Sequence, residues 1–508
     1  MVRAGANLAF GMRGRAAAIV ATALVALWPA DSARGQSPGE TPPPIPQDPL
    51  ATGIPAFVGS PAAPEPTAGQ TVPRHPFMAP NGRSNIHDDA YMTDTYQQSG
   101  PLGTDLQSSS ALFNRECASV TFDSRGRIVT ICVGLDRPVL AMLEPGTLKV
   151  LAAMDLPPRS PSPNPFQDFS SGGYFYLDNQ DRAVISAANR HILVVGETGG
   201  DATPGFALVR DYDVSAAVPS GDALISAIPD WDGVIWFVSR QGVVGTVNPS
   251  TGTVRAIATG ELIGNSFAVG EGGGVFIVTD AALYRFDRAS GGLPHVTWRR
   301  GYSNIGVVKP GQTERGSGTT PTLIGRGLVT ITDNADPMNV LVYKRAPTVS
   351  GPRLVCRQPV FKKGASATDQ SLIATNRSII AENNFGYTGP SSTTNGGVTS
   401  PGIERVDLDA DGTGCHSVWR SGVRAPSVVP KLSLNAGLVY TYTKPKRDDD
   451  VDAWYLTALR FRTGKTIWSR LSGAGFGYNN NYAPVTIGSD GTAYVGVLGG
   501  VTRFRDGD

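Results

Sequence analysis

The chain has 508 residues, with 44 Lys+Arg against 43 Asp+Glu and a formal net charge of +1. Hydrophobic residues make up 40%, charged residues only 17%, and Gly (61) and Pro (39) are abundant. This excludes a coiled coil, a basic nucleic-acid binder and a wholly disordered chain, and predicts a turn-rich, all-β globular protein.

The N-terminus reads as an address followed by a tether. Arg3, Arg13 and Arg15 precede an apolar run, 16–28, that is too short to span a bilayer, and small residues follow it. That is the layout of a secretory signal peptide, assigned here to 1–35 with cleavage after Gly35. Residues 36–80 are rich in Pro, Ala, Gly and Thr, with Pro42, Pro43 and Pro44 in a row. Such a stretch is expected to be a disordered linker outside the fold. The folded domain is then 81–508.

From about residue 117 onward a strand–turn–strand unit recurs. The hairpins fall at 118–132, 182–196, 222–239, 265–279, 319–332, 370–383, 427–442 and 483–498. Each joins runs rich in Val, Ile, Thr and Tyr through a short turn of Gly, Asn or Asp type. A third run follows each hairpin, such as 138–143, 206–214 and 454–461, and most units continue into an outer strand, such as 353–360 or 415–421. Units spaced roughly 40 to 65 residues apart match propeller blades, and ring closure leaves few sheet edges exposed. The pattern predicts an all-β, eight-bladed propeller of four-stranded antiparallel blades. The last unit lacks its outer strand, so an N-terminal strand must close the ring; 89–96 is the expected donor. No window has convincing helical periodicity.

One blade carries a more specific pattern. Ala458, Thr463, Gly464 and Trp468 resemble the repeat Ala-x-Asp-x-x-Thr-Gly-x-x-x-Trp of the pyrroloquinoline-quinone (PQQ) propellers, with Arg460 where Asp is usual. Weaker echoes lie at Asn248, Thr251 and Gly252, at Asp287 and Trp298, and at Gly414 and Trp419. The resemblance implies a quinoprotein-like eight-blade fold over roughly 110–508, with outer-strand Trp residues filling the gaps between blades. It does not imply the quinone. The alcohol dehydrogenases of that superfamily carry an adjacent Cys-Cys pair, absent here, and other members are cofactor-free scaffolds, including propellers of the outer-membrane assembly machinery.

Four Cys in an exported chain are expected to pair. Cys117 and Cys132 flank the first hairpin symmetrically and should face each other across it. Cys356 and Cys415 are left as the second pair by arithmetic, although outer strands of neighbouring blades should splay apart; two free buried thiols are the alternative. Asp407, Asp409 and Asp411, followed by Gly412, have the start of a calcium loop. The twelfth position, where an EF-hand needs Glu, is Val418, so a polar turn is the competing reading.

Loops that enter inner strands, or leave second strands, should meet around the mouth of the central channel. Those positions carry Asp178, Asn179, Asn265, Asp333, Asn334, Asp369, Glu382, Asn383, Asn384 and Asn480. They are the candidate ligand-binding set, with Glu382 and Asn383 as the leading pair. Loop-capping and channel water are the competing roles. His87, with Asp88 and Asp89, could reach the same face, though surface solvation is the simpler role. No catalytic residue can be assigned. The sequence therefore predicts an exported, monomeric propeller, periplasmic or secreted, that binds a protein or small-molecule partner through its channel face. The alternative is a PQQ-type oxidoreductase or a calcium-dependent hydrolase or lactonase centred on Glu382, Asn383, Asp333 and Asn265.

Overall fold

The computed structural model describes residues 37–507, apart from positions 163, 169 and 171. The expected signal peptide lies outside the described residues. Eight sheets form the eight blades of a propeller, and the described residues contain 3-10 turns but no α-helix. Their inner faces are aliphatic and aromatic, and the buried clusters lie between successive sheets. Alternation along each strand supplies both faces, because every blade is sandwiched between two others.

The first blade runs from Glu116–Phe122 to Val150–Asp155, and the third from Leu224–Pro229 to Val254–Ala258. The fourth, fifth and sixth follow the same inner-to-outer order: Ala268–Val269 to Pro294–Gly301, Thr322–Ile324 to Leu354–Pro359, and Ile373–Ala374 to Cys415–Ser421. The second blade corrects the sequence reading. Its inner strand is the two-residue Tyr176–Leu177, so hairpin 182–196 supplies its second and third strands, and Gly205–Asp213 is its outer strand.

Closure does come from an N-terminal strand, but not from 89–96. Gln107–Leu112 pairs antiparallel with Gly500–Arg505 as the outer strand of blade eight. Thr95–Tyr96 instead pairs parallel with Lys431–Ser433, on the channel side of blade seven. At the opposite edge of that blade, Phe57–Gly59 pairs antiparallel with Thr466–Ala474.

The Pro-rich segment is likewise not a free linker. The amide of Gly39 donates to Val150 O and that of Leu112 to Pro43 O. Ile45 is buried, and Ile45 O accepts the Tyr478 hydroxyl at 2.8 Å. Proline removes donors but keeps its carbonyl, so an extended Pro-rich strand can still be held as an acceptor along a sheet edge.

The outer-strand Trp residues fill gaps between blades as the repeat implies. Trp419 of blade six donates to Phe461 O of blade seven at 2.9 Å, and Trp298 of blade four donates to Ala346 O of blade five at 3.2 Å. A Cβ built on Gly464, at φ +70°, would lie 2.4 Å from the Trp419 ring, so only glycine fits beneath the indole. Both disulfides form. Cys117 faces Cys132 in register, and Cys356 pairs with Cys415 across outer strands whose Cα atoms are 5.7 Å apart. The expected splay does not occur at this pair, where a bulge lies beside Cys356.

A sealed face, a filled axis and an open mouth

In every blade the turn joining the first two strands lies at the same end of the ring. Residues 65–99 cross that end and touch each of these turns. The amides of Glu65 and Thr67 donate to Ala436 O and Leu434 O of blade seven. The Gln70 amide donates to Leu323 O and Ala374 O of blades five and six. His75 packs on Trp231 of blade three with ring centroids 4.7 Å apart. Asn179 of blade two donates to Pro76 O at 2.8 Å, Arg83 donates to Asp123 O of blade one, and Gln98 donates to Ile487 O of blade eight at 3.0 Å. The Tyr91 hydroxyl reaches Glu271 of blade four.

Between these crossings the chain rises into the axis. Asp88, Met92 and Asp94 have φ of 76°, 60° and 55°. Repeated left-handed residues curl the backbone, and Asp tolerates that conformation better than most side chains. The curl turns carbonyls outward. Ala90 O, Tyr91 O, Thr93 O and Asp94 O accept the amides of Val269, Leu323, Ala374 and Leu432, on the inner strands of blades four to seven in turn. Tyr96 O accepts the amide of Leu434.

The side chains of this segment form a buried polar cluster. The Asp89 carboxylate accepts Tyr91 N at 2.8 Å and the Thr93 hydroxyl at 2.5 Å. Asp94 is reached by Lys431 Nζ, by the Ser371 hydroxyl and by His87 Nδ1 at 3.1 Å. Burial opposes ionisation of Asp94, yet the Lys431 ammonium and the hydrogen bond from His87 Nδ1 hold its carboxyl below the usual range. Burial pushes Asp88 up to about 8, with Lys431 opposing, and Asp89 up to about 7. His87 is thus a buried member of this cluster and not a solvated surface residue.

Ser371, His87 and Asp94 are the three residue types of a hydrolytic triad, but not its arrangement. Asp94 Oδ1 and Ser371 Oγ both approach His87 Nδ1, at 3.1 and 3.0 Å. A triad needs the carboxylate on one ring nitrogen and the nucleophile on the other. Here Nε2 has no hydrogen-bond partner.

Above this segment a cavity of about 50 Å³ remains at the other end of the channel. Ile86 and His87 belong to the axial segment, and Tyr174, Thr320, Asp369, Ser371, Val429 and Tyr482 come from the surrounding blades. The space suits a few water molecules or the end of a side chain, not a whole organic cofactor.

The expected channel-face residues divide between several places. Asp178 and Asn179 lie at the sealed end, because they follow the inner strand of blade two; Asp178 is forked by Arg182. Asp369 lines the mouth cavity, and its Oδ2 accepts Thr313 N at 2.7 Å. Burial pushes its carboxyl up to about 8. Asn265 is one step away, accepting the Tyr174 hydroxyl at 2.9 Å. Asn384 accepts Asp369 N and donates to Glu382 Oε1, each at 2.9 Å. Glu382 itself is fully buried, and that burial holds its carboxyl well above the usual range. Asn383 and Asn480 are spent on backbone, Asn383 donating to Ala365 O and Pro401 O, and Asn480 to Ala483 O and Gly496 O. Asp333 accepts Asn339 N and Asn339 Nδ2, both at 2.8 Å. Glu382, Asn383, Asp333 and Asn265 therefore each engage different hydrogen-bond partners.

Asn334 does something the sequence did not suggest. It donates to Asn304 Oδ1 and Val307 O, at 3.0 and 2.9 Å, and Lys309 Nζ reaches Ala335 O and Ser366 O. These bonds pin a loop that holds Ile305, Val307 and Val308 out in solvent, 49%, 52% and 53% exposed. The loop is on the open face. An exposed apolar run on a tethered loop is a sign of an interaction surface.

The three carboxylates of the acidic turn are engaged separately. Arg405 forks Asp407 with two bonds of 2.7 Å, Asp409 Oδ1 meets His416 Nδ1 at 2.7 Å, and Asp411 caps Thr413 N. The Arg405–Asp407 fork repeats the Arg285–Asp287 fork of blade four. In both, the arginine also donates to a carbonyl of the next blade, Phe461 O and Arg345 O. Among the described residues no group of three or more His, Cys, Asp or Glu side chains could hold a metal ion.

No family model matches the chain. An uncharacterized protein of Archaeoglobus fulgidus is 30% identical over 324 residues, which is 57% of this chain and 62% of that relative. The chain thus matches less than two thirds of the relative's length. Similar solved structures share little sequence. BamB from Moraxella catarrhalis is 12% identical with a TM-score of 0.38, covering 63% of this chain and 93% of its own. The computationally designed Ika8 protein is 10% identical at 0.45, covering 77% and 95%. A streptogramin B lyase is 9% identical at 0.39, covering 79% and 97%.

Proposed function

We propose that this chain is an exported propeller of the PQQ-like kind that serves as a binding or assembly module. It docks a protein partner on its open, loop-rich face. One observation carries the reading: the chain's own residues 65–99 seal one end of the ring and fill its axis, which leaves the opposite face as the exposed end of the channel. That face bears the tethered Ile305–Val307–Val308 run. The PQQ-like assignment is supported by the recurring Trp docking between blades and by the forked Arg285 and Arg405, each of which also bonds a carbonyl of the next blade. Export is supported by the two disulfides, which persist in oxidising compartments, and by the signal-peptide pattern of the sequence.

Site-specific photo-crosslinking in the native host tests this. A photoreactive residue at Val307 is expected to give an adduct of one defined mass, and one at Arg326, an exposed position of the sealed end, to give none. Adducts from Arg326 alone, or none from Val307, would contradict it.

A further inference from the structure

We propose that the mouth cavity takes up a primary alkylammonium group, held between His87 Nε2 and Asp369 Oδ1. This deepens the docking reading and rests on it, since the ammonium would belong to a lysine side chain of the docked partner.

The argument begins with proton placement. Ser371 Oγ donates to Asp94 Oδ2, so its hydrogen is not available to His87. The close approach of His87 Nδ1 to the Asp94 carboxylate then requires the ring proton to sit on Nδ1. In the neutral ring Nε2 is left with a lone pair, and it has no partner although His87 is only 2% exposed. Asp369 presents a parallel case. Its Oδ2 is occupied by Thr313 N, while Oδ1 is buried without a partner in a residue 7% exposed. Both residues line the same cavity.

Buried polar atoms left unpaired are costly, so these two call for a guest. An ammonium carries three donors, and its charge beside Asp369 would favour release of the proton that burial keeps there, leaving a carboxylate to accept it. Tyr174, whose hydroxyl hydrogen is committed to Asn265, adds an aromatic ring at the wall. Ile86 and Val429 supply apolar walls for an alkyl stem. A volume of about 50 Å³ admits the end of such a chain and no bulkier head.

Calorimetry on the full mature chain tests this, with n-butylammonium, n-butanol, N-acetyl-lysine methylamide and Zn²⁺ as probes. Saturable uptake of n-butylammonium is expected, with none of n-butanol. Asp369→Asn, shown by its melting curve to be folded, should weaken uptake at least tenfold. Uptake of the lysine amide as well identifies a protein side chain as the source; uptake of n-butylammonium alone overturns the lysine assignment in favour of a free amine. Absence of saturable uptake, indifference to Asp369→Asn, or displacement by Zn²⁺ overturns the site. Val307 adducts without amine uptake sink this inference alone; amine uptake without Val307 adducts sinks the docking reading.

Discussion

The ammonium of Lys431 meets the carboxylate of Asp94 on the axis of the ring, and neither side chain reaches solvent. One belongs to the inner strand of blade seven, the other to the segment that fills the channel. A buried pair of this kind contributes little net stability when intact, but losing one partner strands a charge, at about 3–5 kcal/mol. Lys431→Met is therefore expected to lower unfolding free energy by that amount in urea titrations. Adding Asp94→Leu should recover part of the loss. A Lys431→Met chain as stable as the parent would mean that the segment is not seated.

The contact between Trp419 and Gly464 joins blades six and seven. Trp419→Ala removes a buried indole and is expected to cost about 3–5 kcal/mol. Gly464→Ala forces a Cβ into the ring and should also destabilise the chain. Because the clash disappears with the indole, the double variant should cost clearly less than the two single losses added together. Denaturation midpoints of the four chains give the coupling directly; simple additivity would contradict the contact.

Burial raises the carboxyls of Asp369, Asp88 and Glu116 to about 8 each. Between the ordinary carboxylate range and about pH 8 the folded chain thus holds protons that the unfolded chain has lost. Linkage then makes stability fall as pH rises through that window. Melting temperature is expected to drop between pH 5 and pH 8, and Asp369→Asn should flatten part of the drop. An unchanged slope would show that Asp369 does not titrate there.

The Cys117–Cys132 bridge closes a loop with a sequence separation of 15. Replacing both by Ala should cost about 3 kcal/mol, from the added entropy of the unfolded chain. Thermal melts with the Cys356–Cys415 pair left intact measure it.

The blades were legible because each is a local object: two apolar runs, a short turn, then a third run. Legibility failed where a strand lacked that signature. Tyr176–Leu177 is too short to register, and missing it moved Asp178 and Asn179 to the wrong end of the ring. Gln107–Leu112, polar and half exposed on an outer edge, reads as a loop, whereas the Tyr and Thr of 89–96 mimic a strand. The Pro-rich segment gave no hint of its seat, because it is held by backbone bonds that composition does not encode. At the mouth, Asp369 was visible as a polar loop residue. Its proximity to His87, 282 positions away in sequence, is created by the axial segment and had no local signal.

Hydrogen exchange read at single amides addresses the seating of that segment most directly. The amides of Val269, Leu323, Ala374, Leu432 and Leu434 donate to carbonyls of Ala90, Tyr91, Thr93, Asp94 and Tyr96. All five are expected to exchange as slowly as amides of the second strands of the same blades. Exchange within seconds at these five, with the second strands still protected, would show an empty channel open at both ends and would contradict the account.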